Sequence, residues 1–115
     1  MKVLVVDNSR CIRDSLEAVL DAAGHAVATA SGLQAVEQAA LQRPDVIVID
    51  AALPRSGQQV LDQMRQQAPA ARVVLISWAC NGPRARAEAA ACRAGAYLCQ
   101  PFDADELIEA IGEAA

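Results

Sequence analysis

Asp45-Val-Ile-Val-Ile-Asp50 is the stretch that decides the fold. Its central residues, Val46 to Ile49, are all apolar and all β-branched, with no alternation of polar positions. A strand with one wet face alternates. An unbroken apolar run suits a parallel strand covered by helices on both faces. Two similar runs, Val3 to Val6 and Val73 to Ile76, are bounded by polar or turn residues. Two weaker strands are expected at His25 to Thr29, between Gly24 and Ser31-Gly32, and at Ala96 to Cys99, between Gly95 and Pro101. Their weakness suits the edges of a sheet.

Between these runs the apolar period changes to that of helices. Ile12, Leu16, Val19, Leu20 and Ala23 form one stripe, with Gly24 as its C-terminal stop. Leu33, Val36 and Ala40 form a second, closed before Pro44, and Val60, Leu61 and Met64 a third, closed before Pro69. The Ala-rich stretch from Arg84 to Ala94 has the strongest helix propensity in the chain. Asp103 and Glu106 form a capping box ahead of a last helix with Leu107, Ile108 and Ile111 on its inner face. Five strand–helix units predict one α/β domain over residues 1–115, a doubly wound parallel sheet with helices on both faces. The flavodoxin-like (βα)5 strand order 2-1-3-4-5 suits best, because it puts the three most apolar strands inside.

Composition narrows the function. The formal charge of the 115-residue chain is −4, and its ten Lys and Arg residues are dispersed along the sequence. A nucleic-acid surface needs them clustered, so no direct nucleic-acid binding is expected. Four cysteines, at 11, 80, 92 and 99, have no C-x-x-C spacing, and the one histidine, His25, completes no familiar zinc pattern with them. Free thiols of a cytoplasmic protein are expected. The opening, with Lys2 and four apolar residues before Asp7, is too short for a signal peptide or membrane span.

Open α/β sheets bind ligands beyond the carboxyl ends of their strands, where the strand order reverses. In a 2-1-3-4-5 sheet that switch point lies between strands 1 and 3, which end at Asp7 and Asp50. Each alone is an ordinary strand end or helix cap. Two together in one crevice repel each other unless a proton or a cation intervenes, and Mg²⁺ is the natural cation. Ser77 closes strand 4, and Gln100-Pro101 closes strand 5. The first strand–helix turn, Asp7-Asn8-Ser9-Arg10, has no glycine, which argues against a nucleotide-phosphate loop.

In order and spacing these pieces resemble the receiver domain of bacterial two-component response regulators across nearly the whole chain. Val3-Leu-Val-Val-Asp-Asn8 is similar to the family's first strand with its acidic pair. Asp45-Val-Ile-Val-Ile-Asp50, with Ala-Ala-Leu-Pro54 after it, is similar to the phosphoacceptor strand and loop. Ser77 matches the hydroxyl switch, and Gly95-Ala96, Tyr97 and Gln100-Pro101-Phe102 match the stretch that usually carries Lys-Pro.

The resemblance implies that Asp50 accepts a phosphoryl group from a sensor histidine kinase or phosphotransfer protein. Asp7, Asp50 and the backbone carbonyl of Ala52 would hold Mg²⁺. Ser77 would bond the phosphoryl group, Tyr97 would change rotamer in response, and Pro101 would follow a cis peptide. The fourth helix, fifth strand and last helix would form the face read by an effector domain, an output protein or a second copy.

Three positions depart from the pattern. The second acidic ligand is Asn8, which weakens the metal site, and the lysine that pairs with the phosphoryl group is Gln100. One anion and one cation are lost together, so the formal charge of the pocket is unchanged, as expected of a matched pair of substitutions. Trp78, after the switch Ser77, stands where the family usually has a small residue, at the mouth of the site. A degenerate receiver that binds a partner without phosphorylation is therefore the alternative function. An enzyme is not expected, since a haloacid-dehalogenase-like phosphatase needs a second acid where Ala52 stands.

Overall fold

The computed structural model of the chain describes residues 1–51, 59–77, 83, 87, 90 and 93–114. Five strands, β1 (Lys2–Val6), β2 (Ala26–Ala30), β3 (Val46–Asp50), β4 (Arg72–Ser77) and β5 (Ala96–Cys99), form one sheet in the order β2-β1-β3-β4-β5. Every pairing is parallel. The expected fold and strand order are both found, with β2 and β5 at the edges. Around the sheet lie α1 (Arg10–Ala22), α2 (Ala35–Gln42), α3 (Gln59–Gln67) and α4 (Ala104–Ala114). Of the Ala-rich helix expected over 84–94, only Ala87, Ala90, Arg93 and Ala94 are described. Ala87 and Ala90 are helical, and Arg93 lies in a left-handed turn at φ 50°.

The unbroken apolar runs are explained by the two layers they serve. Leu4, Val6, Ile47, Ile49, Val73 and Leu75 point to one side, into a core completed by Ala35 and Ala39 of α2 and Leu61 and Met64 of α3. Val3, Val5, Val46, Val48, Val74 and Ile76 point to the other, against Leu16 and Leu20 of α1 and Leu107 and Ile111 of α4. Successive residues of a strand face opposite sides, so a strand buried on both must be apolar throughout. Burying a Leu, Ile or Val side chain contributes about 1.5–3 kcal/mol each, which makes these runs the main source of stability.

Two helix faces differ from expectation. Leu33 is fully exposed in the turn before α2, and the helix turns Ala35 and Ala39 inward while Val36 is half-buried and Ala40 exposed. The helix begins at Ala35, and α2 and β1 approach closely enough that alanine fills the contact. In α4 the inner stripe is Leu107, Ala110, Ile111 and Ala114, and Ile108 lies toward solvent with 38% exposure. Gly95 explains the tightness there: a Cβ on it would lie 3.2 Å from the Cα of Ala114. Two expected boundaries hold, the stop of α1 at Gly24 and the capping box ahead of α4. Gly24, at φ 92°, follows the last turn of α1. Glu106 N–H donates to the Asp103 carboxylate at 2.8 Å, and Asp103 N–H donates back to Glu106 at 3.4 Å.

Candidate functional site

The parallel register delivers the site residues to one edge of the sheet. Val6 pairs with Ile49 across β1 and β3, so Asp7 and Asp50 are the next residues on neighbouring strands. Asp50 pairs with Ile76 across β3 and β4, and Ser77 with Cys99 across β4 and β5. Ala51 N–H donates to the Ile76 carbonyl, and Gln100 N–H to the Ser77 carbonyl, each at 2.8 Å. These bonds carry the ladder one residue past the strands and fix Asp50, Ser77 and Gln100 in register. The sheet thus brings Asp7, Asp50, Ser77 and Gln100 to one mouth, as expected from the strand order. Tyr97 is half-buried on β5, packed against the α2–α3 side of the core. The Gln100–Pro101 peptide is cis.

Asp7 is the more enclosed carboxylate, with 6% exposure, and Asp50 is half-buried. One Asp7 oxygen accepts the Ser9 N–H at 2.8 Å, a turn that leads into α1, whose first turn Ser9 caps through Ile12 N–H. Burial pushes the Asp7 carboxyl above its ordinary value, and the nearby Asp50 charge pushes it the same way. The Ser9 bond and the Arg13 guanidinium oppose the rise without cancelling it. Two carboxylates brought together with incomplete compensation are a donor set that fits a hard divalent cation. Among the described residues, no cluster of three His, Cys, Asp or Glu side chains forms a larger metal site.

Asn8 is placed differently from a ligand waiting for metal. Its Oδ1 accepts the Gly32 N–H at 2.9 Å, tying the end of β1 to the turn before α2. Arg13 is a site residue that inspection of the sequence overlooked. Its guanidinium donates to the Asp7 carbonyl, at 2.6 Å, and brings a cation to the acidic mouth. The available signal was its place on the first turns of α1, on the chain segment leaving Asp7. Ala52 and Trp78 lie outside the described residues, as does the loop through Pro54.

The thiol expectation needs correction. Cys11 is free and exposed, but Cys99, at the end of β5, is disulfide-bonded. Sequence spacing alone does not disclose such a bond. Among the described residues, no helix is long and apolar enough to cross a membrane.

The pressure of Asp50 on buried Asp7 has a measurable consequence. In metal-free protein Asp7→Asn is expected to raise stability, and with it the melting temperature, near neutral pH. The asparagine oxygen can still accept the Ser9 N–H. A carboxyl pKa raised in the folded state means that the native chain holds this proton to higher pH than the unfolded chain. The wild type therefore loses stability as pH rises from the ordinary carboxyl range through the raised value, and the variant does not. Thermal melts of both proteins in chelator across that range check the prediction, and parallel curves would refute it.

Comparison with known proteins agrees with this geometry. The family model described as "Response regulator receiver domain" matches residues 3–112. "Response regulator MprA" of Mycobacterium leprae (strain TN) is 33% identical over 113 residues, covering 96% of this chain and 49% of the relative. The chain thus spans about half the length of such curated relatives. Among solved structures, the chemotaxis protein CheY4 of Vibrio cholerae superposes with a TM-score of 0.86 at 29% identity, covering 99% of this chain and 98% of that one. NtrX from Brucella abortus superposes at 0.84 with 31% identity, covering 98% of this chain and 25% of that one. Sheet order, paired acids at the switch point and family match agree, and the chain belongs to the response regulator receiver domains.

Proposed function

We propose that the chain is a phosphorylation-driven switch in which Asp50 accepts a phosphoryl group from a sensor histidine kinase or phosphotransfer protein. The observation that carries this reading is the placement of Asp50 at the end of β3, between buried Asp7 at the end of β1 and buried Ser77 at the end of β4. An Asp50 oxygen attacks phosphorus, the bond from phosphorus to the donor nitrogen breaks, and an acyl phosphate forms while the donor imidazole leaves. Mg²⁺, held by Asp7 and Asp50, supplies positive charge against the phosphoryl oxygens when bound. The Ala52 carbonyl is the further ligand implied by family resemblance. Asn8 contributes weakly, its oxygen being engaged by Gly32. Ser77 donates its hydroxyl to the phosphoryl group, and Tyr97 follows it. Gln100 offers a neutral amide in place of a cation.

A groove of about 280 Å³ between α1 and the start of α4 supports the assignment of a donor partner. Ile12, Leu16, Val19, Phe102 and Leu107 line it, and it adjoins Pro101 and Gln100 beside the site. An apolar groove there suits a helix of the phosphodonor. Output passes through the β5 and α4 side to an effector domain, an output protein or a second copy. We place the domain in the cytoplasm, as a signalling module rather than an enzyme.

A second reading, a receiver that binds its partner without phosphorylation, is favoured by Asn8 engaged at Gly32 and by the loss of the lysine at Gln100. The two separate cleanly. Incubation with Mg²⁺ and a small phosphodonor should add the mass of one phosphoryl group, and beryllofluoride should change the fluorescence of Trp78, the chain's only tryptophan. No mass gain and no fluorescence change at millimolar Mg²⁺ would leave the phosphorylation-independent module standing.

A further inference from the structure

Three of the ten basic residues, far apart along the sequence, come together in space. Arg65 of α3, Arg72 at the start of β4 and Arg93 in the turn before β5 line one cavity of about 640 Å³ at the amino-terminal edge of the sheet. Asp62 is the acidic residue among its lining, against three guanidinium groups. In a chain of formal charge −4 this is a concentration of the minority sign. Like charges gathered around one space repel, and Arg72 and Arg93 form no ion pair among the described residues that would relieve it. We propose that this cavity binds a small polyanion carrying two or more phosphate groups.

The chemistry of the lining selects that class. The volume falls in the range of small-molecule sites, roughly 300–1,000 Å³. All three bases are arginines, whose planar fork of donors matches phosphate oxygens two at a time in a way that lysine does not. The remaining lining includes Pro69, Ala71, Val73 and Gly95, none of them aromatic. There is no ring to stack on a nucleobase, so recognition rests on the charged groups. Arg65 is partly fixed, since its guanidinium donates to the Arg93 carbonyl at 2.9 Å. That bond braces the left-handed turn at Arg93, a conformation that disfavours non-glycine residues. Gly95 is already accounted for by its contact with Ala114.

The cavity is separate from the phosphorylation site. Arg72 opens β4 and Ser77 closes it, five residue steps of about 3.3 Å apart, so about 16 Å of strand lies between the two.

Titration of the full chain with inorganic pyrophosphate, followed by amide NMR at low ionic strength, tests the assignment. Saturable shifts are expected at Arg65, Arg72, Val73, Arg93 and Gly95, with binding weakened about tenfold or more in the double variant Arg72→Gln/Arg93→Gln. Both side chains are exposed, and matching melting curves will establish that the variant is folded. Shifts centred on Asp7 to Arg13, affinity unchanged in the variant, or no saturation would each overturn the site. Citrate binding as tightly as pyrophosphate would overturn the phosphate assignment.

Discussion

Asp50→Ala is expected to abolish donor-dependent phosphoryl uptake completely, with no mass gain even after prolonged incubation with Mg²⁺ and a small phosphodonor. The expectation rests on the lack of a substitute nucleophile among the described residues. Asp7 is the other carboxylate at the mouth, but it is buried, held by the Ser9 N–H, and its charged form is disfavoured. Asp45 precedes β3 at the opposite end of the strand, where it accepts the Lys2 N–H. Ser77 carries a neutral hydroxyl at physiological pH, a weaker nucleophile toward phosphorus than a carboxylate. Loss of uptake will not reflect unfolding. Removing the Asp50 charge lowers the repulsion on Asp7, so the variant should still unfold in one cooperative transition. Intact-mass spectrometry and a thermal melt on the same preparation check both halves. Residual phosphorylation of a folded Asp50→Ala protein would place the acceptor elsewhere and sink the assignment.

How far the sequence discloses this molecule depends on how local each determinant is. The strands are legible because burial on both faces admits no polar residue, so Val46 to Ile49 can be read without knowing their neighbours. Strand ends are legible for the same reason: Asp7, Asp50 and Ser77 are where the apolar runs stop. Helix faces are harder where small residues carry the contact. In α2 the larger Leu33 and Val36 drew the expected stripe, whereas the close approach to the sheet selects Ala35 and Ala39. Contacts set by loop geometry are not legible at all. Nothing in Asn8 announces that Gly32, far along the chain, will occupy its oxygen, and nothing in Arg13 announces the Asp7 carbonyl. The arginine cavity is the extreme case, since Arg65, Arg72 and Arg93 belong to three separate segments.

The paired departures at the acidic mouth make the sharpest demand on the site. Asn8→Asp alone adds a third carboxylate next to Asp7, whose charged form the Asp50 charge already disfavours, so the metal-free protein should lose stability through added repulsion. The new carboxylate keeps an oxygen for the Gly32 N–H, and Mg²⁺ should recover the loss by binding more tightly. Gln100→Lys alone adds a cation to the same mouth and should stabilise the metal-free protein while doing little for metal affinity. Together the two changes supply an anionic ligand and a phosphate-pairing cation without altering the formal charge. The rate of phosphorylation by a small donor is expected to rise on the order of tenfold or more, beyond the product of the single effects. Residues sharing one electrostatic network should show a coupling of about 1 kcal/mol or more. Mg²⁺ titration by Trp78 fluorescence, with phosphorylation rates for wild type, both single variants and the double, measures that coupling. If the single effects multiply with no excess, Asn8 and Gln100 are independent substitutions, and charge balance does not explain why they occur together.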